Sequence, residues 1–328
     1  MEKSESNPST AHVDIIIPLY NEAESLEAFH SRLATALQPL NGYFHIIYVD
    51  DGSTDDTLAR LRALASSDSR MKILELSRNF GHQAALCAGL DQAEGDYIIS
   101  MDGDGQHPPA LIAEMLSMAS QGFDVVLTRR VDEDKLPLFK KITSSLFYQL
   151  TNRIANTRIT PDSSDFRLLS RRALDALRSM PEYHRFLRGM VAWIGFRTVI
   201  LPFQPPPRIG GQSKYSLHKM VTLAMDAVFS FSLVPLYAGV SVGGLFLLLA
   251  LVEAVYVLQF WITGHTSTLA PGWSSLMFVL LVVGGSLMIT LGITGIYIGY
   301  IFQEVKHRPV YLVRKIYDQT EEQKENNA

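Results

Sequence analysis

The chain has 328 residues, 47% of them hydrophobic, a formal net charge of −4 and one cysteine, Cys87. A net negative chain with no basic stripe and no RNA-binding signature gives no case for nucleic acid, and one cysteine excludes an internal disulfide, which fits a reducing compartment or a domain facing one. The length suffices for a globular domain of about 200 residues plus something else, and the apolar surplus lies after residue 228, so one chain meets two solvents.

Residues 1–12 are polar and are expected to form a flexible leader without a cleavable signal peptide. Val13 to Pro18, VDIIIP, is an apolar β-branched run closed by proline, the pattern of a buried parallel strand. Leu19 to Glu22 make a turn, and helical spacing follows from Glu24 to Leu37. A second strand, His45 to Asp51, ends in paired aspartates; Gly52 to Thr57 then turn and cap the helix LARLRALAS. A third strand, Lys72 to Leu76, passes through Ser77 to Gly81 into a helix starting near His82, where His82 reads as a cap or packing residue. Cys87, within AALCAGL, reads as a small buried residue.

The fourth strand carries the most telling stretch. Asp96 to Met101 is apolar and ends in Asp102-Gly103-Asp104-Gly105-Gln106-His107, where two glycines force a turn between two carboxylates. Mg²⁺ usually takes one or two protein carboxylates, with substrate phosphates and waters completing its shell, so this loop suits a metal diphosphate; a solvated acidic turn is the bland alternative. His107 reads as turn packing before metal ligand. Strands alternating with helices imply βαβ units and a mostly parallel sheet, with ligands beyond the strands' carboxyl ends. Tyr20, Glu22, Asp50, Asp51, Arg78, Asp102 and Asp104 all fall at or just after such ends and are expected to line one crevice. No G-x-G-x-x-G follows the first strand and no P-loop occurs, which argues against a dinucleotide dehydrogenase or a P-loop ATPase.

A fifth strand, Phe123 to Thr128, ends in Arg129-Arg130, before a charged loop at Val131 to Pro137 and an amphipathic helix at Leu138 to Ile154. Asp162 to Leu169 sets Asp165 two residues from Arg167, ahead of a helix at Arg171 to Arg178. Strand-like Thr198 to Pro202 leads to a glycine-paired loop carrying Arg208, Ser213, Lys214 and Tyr215, rich in phosphate donors or else a plain linker. Residues 217–230 read as an amphipathic helix suited to a membrane interface. Two apolar stretches, 231–262 and 273–302, each exceed the ~20 residues that cross a bilayer, and the turn between them makes a hairpin. Gly284, Gly285, Gly292, Gly295 and Gly299 suit close helix approach, and with Glu253 they suggest a homo-oligomer. Lys and Arg flank both spans and are absent from the turn, so the catalytic domain and both termini, with a tail at 303–328, are placed in the cytoplasm of a multi-pass cell-membrane protein.

With VDIIIPLYNE, VDDGSTDDT, MDGDGQHPP, SSDFRLLSRR and RIGGQSKYS in order, the chain resembles family 2 glycosyltransferases of the polyprenyl-phosphate branch. It is similar to dolichyl-phosphate mannose synthases in its soluble part and to bactoprenol glucosyl transferases in its hairpin layout. The resemblance implies a Rossmann-like α/β domain of GT-A type, a nucleotide-sugar donor, Mg²⁺ or Mn²⁺, a polyprenyl phosphate acceptor and inversion at the anomeric carbon. By the match, Pro18, Tyr20, Glu22 and Asp50 contact the nucleoside, Asp102, Asp104 and Gln106 handle the metal, and Arg129, Arg167, Arg208, Ser213 and Lys214 hold phosphates. Mannose synthases usually carry a small residue where Asp165 stands; in other members an aspartate in a comparable region is the catalytic base. A phosphate monoester is already mostly dianionic at neutral pH, so Asp165 could instead orient Arg167 or sugar hydroxyls. Glucose from UDP-glucose is the first choice of sugar, with mannose, galactose, 4-amino-arabinose and N-acetylglucosamine as alternatives. A processive transferase would need more spans and a Q-x-x-R-W segment, and an inactive membrane scaffold would be expected to have lost Asp102 or Asp104.

Overall fold

The computed structural model describes residues 11–131, 163–180, 182–183, 185–206, 234–263 and 272–318. These divide into two compact units, residues 1–221 with 309–328 and residues 222–308. The expected interfacial helix, the loop and helix expected at 132–154, and Arg208, Ser213, Lys214 and Tyr215 lie outside the described residues.

The first unit is an α/β fold on an eight-stranded sheet. Its strands are β1 (His12–Leu19), β2 (Tyr43–Asp50), β3 (Met71–Leu76), β4 (Tyr97–Ser100), β5 (Val125–Arg130), β6 (Ser163–Ser170), β7 (Thr198–Phe203) and β8 (Val313–Asp318), in the order β7-β5-β6-β4-β1-β2-β3-β8. The helices are α1 (Leu26–Leu37), α2 (Thr57–Ala65), α3 (His82–Gln92), α4 (Leu111–Ser120), α5 (Arg171–Arg178) and α6 (Leu187–Trp193). β3, β2, β1 and β4 run parallel, and β6 lies antiparallel between β4 and β5. The first four strands read as continuous apolar runs because both faces are covered: Ile15, Ile16, Ile17, Tyr48, Ile73 and Ile99 are all fully buried. The chain order reverses between β1 and β4, which opens a crevice at their carboxyl ends.

Two boundaries differ from the sequence reading. The leader stops earlier, because Ala11 is buried and the His12 amide donates to Asp96 Oδ2 at 2.9 Å. The segment expected as a tail supplies β8, antiparallel to β3 at the sheet edge. Glu75 of β3 explains why: its buried carboxylate accepts from Arg314 Nη1 at 3.0 Å and the Tyr317 hydroxyl at 2.8 Å, with Arg62 at 3.5 Å. Without β8 this carboxylate would sit on the edge strand; a buried carboxylate needs such partners, and β8 brings them.

The second unit has two long helices, α7 (Val234–Thr263) and α8 (Trp273–Val305). Among the described residues one stretch, Val282–Val305, is long and apolar enough to cross a membrane; the apolar run described within α7, Pro235–Phe246, is shorter. Large apolar side chains face outward along both helices, Leu251 and Ile289 each 68% exposed, a surface that calls for lipid or protein cover. The helices approach closely at Gly239, where a Cβ would lie 2.9 Å from Thr290. The expected small-residue contacts of the second helix are not made among the described residues, since a Cβ at Gly284, Gly285, Gly292, Gly295 or Gly299 meets nothing within 4 Å.

Asp14 fastens the β1–β4 crossing. Its buried carboxylate accepts the Glu94 and Gly95 amides at 2.5 and 2.8 Å and stands 3.6 Å from His45. Burial alone would raise this carboxyl, but the His45 ring and the two amides outweigh it and hold it below the usual value, while Asp14 lifts His45 above its own. The Asp14 contribution is therefore present above about pH 4 and lost as pH falls through its folded value; that of His45 is full below about pH 6.5 and lost as pH rises through its folded value. Asp14→Asn is expected to destabilise the fold most between those limits and to converge with the unsubstituted chain in acid. Thermal unfolding of both chains across pH checks this.

Candidate active site

The crevice is built from the four loops after β1, β2, β3 and β4 and from one antiparallel strand. The loops after β1 and β2 are laced together: the Asn21 amide donates to Ser53 Oγ at 3.0 Å, the Thr54 amide to Asn21 Oδ1 at 2.8 Å, and the Glu22 amide to Thr57 Oγ1 at 2.9 Å. Asn21 pays for this with φ of 53°, a left-handed conformation that asparagine tolerates. Tyr20 and Glu22 stand half-buried on this rim, while Pro18 is buried within β1 opposite Val49. Asp50 is buried and accepts the Ser53 amide at 3.3 Å; desolvation raises its carboxyl above the ordinary value. Asp51 serves the scaffold: its two oxygens take the Phe80 and Gly81 amides at 2.7 and 2.9 Å. That bond draws the loop after β3 against the loop after β2, and Gly52, at φ of 64°, has no room for a Cβ against Asn79 N. Arg78 lies over the Phe80 ring at 4.1 Å.

The loop after β4 is fixed by His107. Its Nδ1 accepts the Asp102 amide at 2.8 Å, so that nitrogen carries no proton, and Nε2–H donates to Ser164 Oγ at 2.5 Å. The ring also stacks on Phe166, with centroids 5.2 Å apart. Both ring nitrogens are engaged in holding the loop against β6, so His107 packs the turn. Gly103 allows the loop to lie on β1, since a Cβ there would fall 2.3 Å from Leu19 Cδ2. Asp104 Oδ1 accepts the Gln106 amide at 3.0 Å, and Gln106 Oε1 accepts from Arg130 at 3.4 Å. Arg129 is exposed at the same end of β5.

Asp102 tests whether a cation fits. Its Oδ1 is buried and makes no hydrogen bond among the described residues, with the His82 ring 3.5 Å away as an ion-pair partner, in a loop of oxygen ligands. No three His, Cys, Asp or Glu side chains among the described residues close into a metal cage. Hard oxygen donors from one or two carboxylates, with the shell left open, are what Mg²⁺ or Mn²⁺ takes beside a diphosphate, so the donor set fits such an ion.

β6 turns the crevice into a charged site. Its pairing places Ser100 opposite Arg167, so the strand's first residues lie beside the loop after β4. Asp165, 6% exposed, sits under two guanidinium groups: Arg167 contacts Oδ1, and Arg188 of α6 makes a two-pronged contact, Nε to Oδ1 at 3.2 Å and Nη2 to Oδ2 at 3.0 Å. His82 Nε2 stands 3.5 Å from both Asp165 Oδ2 and Asp102 Oδ1. Burial would raise the Asp165 carboxyl, yet Arg188, His82 and Arg167 drive it well below the ordinary range. Burial likewise opposes charge on His82, and the two aspartates overcome it, lifting the imidazole to about 9. A carboxylate so firmly ionised and fully engaged is a poor proton acceptor. Its geometry is that of a clamp on Arg167 and Arg188.

Of the expected site residues, the structure joins Asp165 and Arg167 directly, links Asp102 to Asp165 through His82, and sets Tyr20, Glu22, Asp50, Asp104 and Gln106 at the carboxyl ends of the neighbouring strands. His82 and Arg188 were missed as functional residues. For His82 a signal existed, since it follows a strand's carboxyl end as the aspartates do; Arg188 lies within a helix far from any such end. Cys87 is buried in α3, with its thiol pushed up to about 11, an inert core residue as expected.

Comparison with known proteins gives the context. The description Glycosyl transferase family 2 matches residues 14–178. An uncharacterized glycosyltransferase of Synechocystis is 39% identical over 94% of this chain and 96% of its own length. The bactoprenol glucosyl transferase of Shigella phage SfII is 33% identical over 92% of this chain and 97% of its own. Among solved structures, glucosyl-3-phosphoglycerate synthase from Mycobacterium tuberculosis, in complex with Mn²⁺, UDP and phosphoglyceric acid, has a TM-score of 0.47 at 17% identity, over 67% of this chain and 76% of that one.

Arg188→Ala leaves Asp165 with fewer charges than its burial demands. A loss of about 3 kcal/mol is expected, read as a lower unfolding midpoint. Arg188→Lys, a point charge that cannot make the two-pronged contact, recovers part of it.

Proposed function

The chain belongs to glycosyl transferase family 2, and from that premise we propose that it transfers glucose from UDP-glucose to a polyprenyl phosphate at the cytoplasmic face of a cell membrane, with inversion. The observation that carries the proposal is the likeness to a bactoprenol glucosyl transferase along nearly the whole of both chains, the two long apolar helices included. In this reading α7 and α8 cross the membrane as a hairpin and hold the catalytic unit near its lipid acceptor, so that proximity supplies part of the rate.

Tyr20, Glu22 and Asp50 bind the nucleoside at the rim of the first two loops. Asp102, Asp104 and the Gln106 region hold a divalent cation, which when bound supplies positive charge for the departing diphosphate. Arg129 and Arg167, with Arg208, Ser213 and Lys214, hold phosphates. The lipid phosphate arrives largely as a dianion and attacks the anomeric carbon without needing a protein base. Asp165 keeps Arg167 and Arg188 aimed, so that positive charge stands preorganised where negative charge develops. Two substitutions at one residue separate this from the base mechanism. A base would make the acid limb of the rate profile its own; here Asp165→Asn is expected to lower turnover about tenfold to a hundredfold while an acid limb near pH 6, set by the acceptor's second ionisation, stays in place. Steady-state rates across pH for Asp165→Asn and Asp165→Ala check it.

Membranes carrying the chain, given radiolabelled UDP-glucose, are expected to yield chloroform-extractable label that mild acid releases. EDTA should abolish the signal and Mn²⁺ or Mg²⁺ restore it. Label recovered only with another nucleotide sugar would correct the donor, and none with any nucleotide sugar would favour a membrane scaffold.

A further inference from the structure

Gln83, the second residue of α3, is unused by the mechanism above yet lies inside its charged cluster. Its Nε2 donates to Asp165 Oδ2 at 3.4 Å, beside His82, which stands 3.5 Å from both Asp102 and Asp165. The other end of the amide is the notable one: Gln83 Oε1 is buried and has no hydrogen-bond partner among the described residues. Reversing the amide does not remove the problem, since it would set an oxygen against the Asp165 carboxylate and strand two donors instead. The amide is thus oriented by Asp165, with an acceptor turned to a place where no described protein group donates. Leaving such an acceptor unsatisfied costs a folded protein free energy, so a donor beyond the described protein groups is called for.

The neighbouring orphan narrows the chemistry. Asp102 Oδ1, the other buried acceptor without a hydrogen bond among the described residues, suits a cation. A neutral amide oxygen next to a carboxylate suits a hydroxyl, which can donate to it and still accept from Arg188 or His82. Resting on the proposed transfer of a sugar from a nucleotide donor, we infer that Gln83 is a specificity-determining residue whose Oε1 accepts a hydrogen bond from one hydroxyl of the donor sugar. The nucleotide is held by the loops after β1, β2 and β4, and Gln83 reads the sugar from the start of α3, through an amide that Asp165 holds in register. Asp165 then aligns three groups at once: Arg167, Arg188 and the sugar-reading amide.

The test uses the full-length chain in membranes, with Mn²⁺, and UDP-glucose together with its 2-, 3-, 4- and 6-deoxy analogues. In the unsubstituted enzyme one deoxy donor is expected to lose about tenfold to a hundredfold in kcat/KM, the scale of one hydrogen bond to a polar site. In Gln83→Met, UDP-glucose loses the same factor, and that deoxy donor suffers no further penalty relative to it, while affinity for UDP itself is unchanged. Equal deoxy penalties in Gln83→Met and the unsubstituted enzyme overturn the inference, as does an unsubstituted enzyme indifferent to all four deletions. A Gln83→Met chain that no longer binds UDP assigns Gln83 to the scaffold and overturns it too. Transfer of glucose to lipid without the coupling leaves the proposed function standing and removes the inference alone; absence of any transfer by the unsubstituted enzyme removes both.

Discussion

One buried carboxylate organises this protein. Asp165 lies on the antiparallel strand β6, and its oxygens gather Arg167 from the same strand, Arg188 from α6, and His82 and Gln83 from α3. Buried alone, the carboxylate would be costly to desolvate; ringed by these donors it is stabilised, leaves an excess of positive charge, and fixes the relative positions of three elements. The site is therefore rigid for the same reason that it is charged. Such a cluster presents donors already aimed, which is where electrostatic catalysis gains most of its advantage, because nothing has to reorient as charge develops.

The same economy appears at the far side of the sheet. Glu75 is buried on β3, next to the edge strand, and its partners Arg314 and Tyr317 come from that edge strand, which follows the long helices in the chain. The catalytic sheet is thus completed only after α7 and α8 have been made. This gives the second unit two covalent connections to one sheet, with β8 covering an edge that would otherwise invite pairing with another chain.

Much of the fold was legible in the sequence because buried parallel strands leave a plain mark: VDIIIP, HIIYVDD and YIIS are apolar runs closed by proline, aspartate or glycine, and the βαβ rule then placed their carboxyl ends together. β8 left no such mark. VRKIYD is half charged, and its charges make sense only against β3, Arg314 pairing with Glu75 and Asp318 facing Lys72. Likewise the glycines of α8 suggested helix contacts, yet a helix face shows nothing of what it meets, and among the described residues those positions meet open space.

For the site, the sequence by itself determined which residues stand at strand ends, and so Asp50, Asp102, Asp104 and the acidic loop, because strand ends are set by local pattern. It also set out Asp165 and Arg167 as a pair. Only the tertiary structure decided what Asp165 is. Its protonation state depends on Arg188 and His82, 23 residues after it and 83 before, and charge-charge contact across such separations has no period or motif to announce it. The amide of Gln83 carries the same lesson, since an unsatisfied acceptor exists only once burial has removed the water that would have met it.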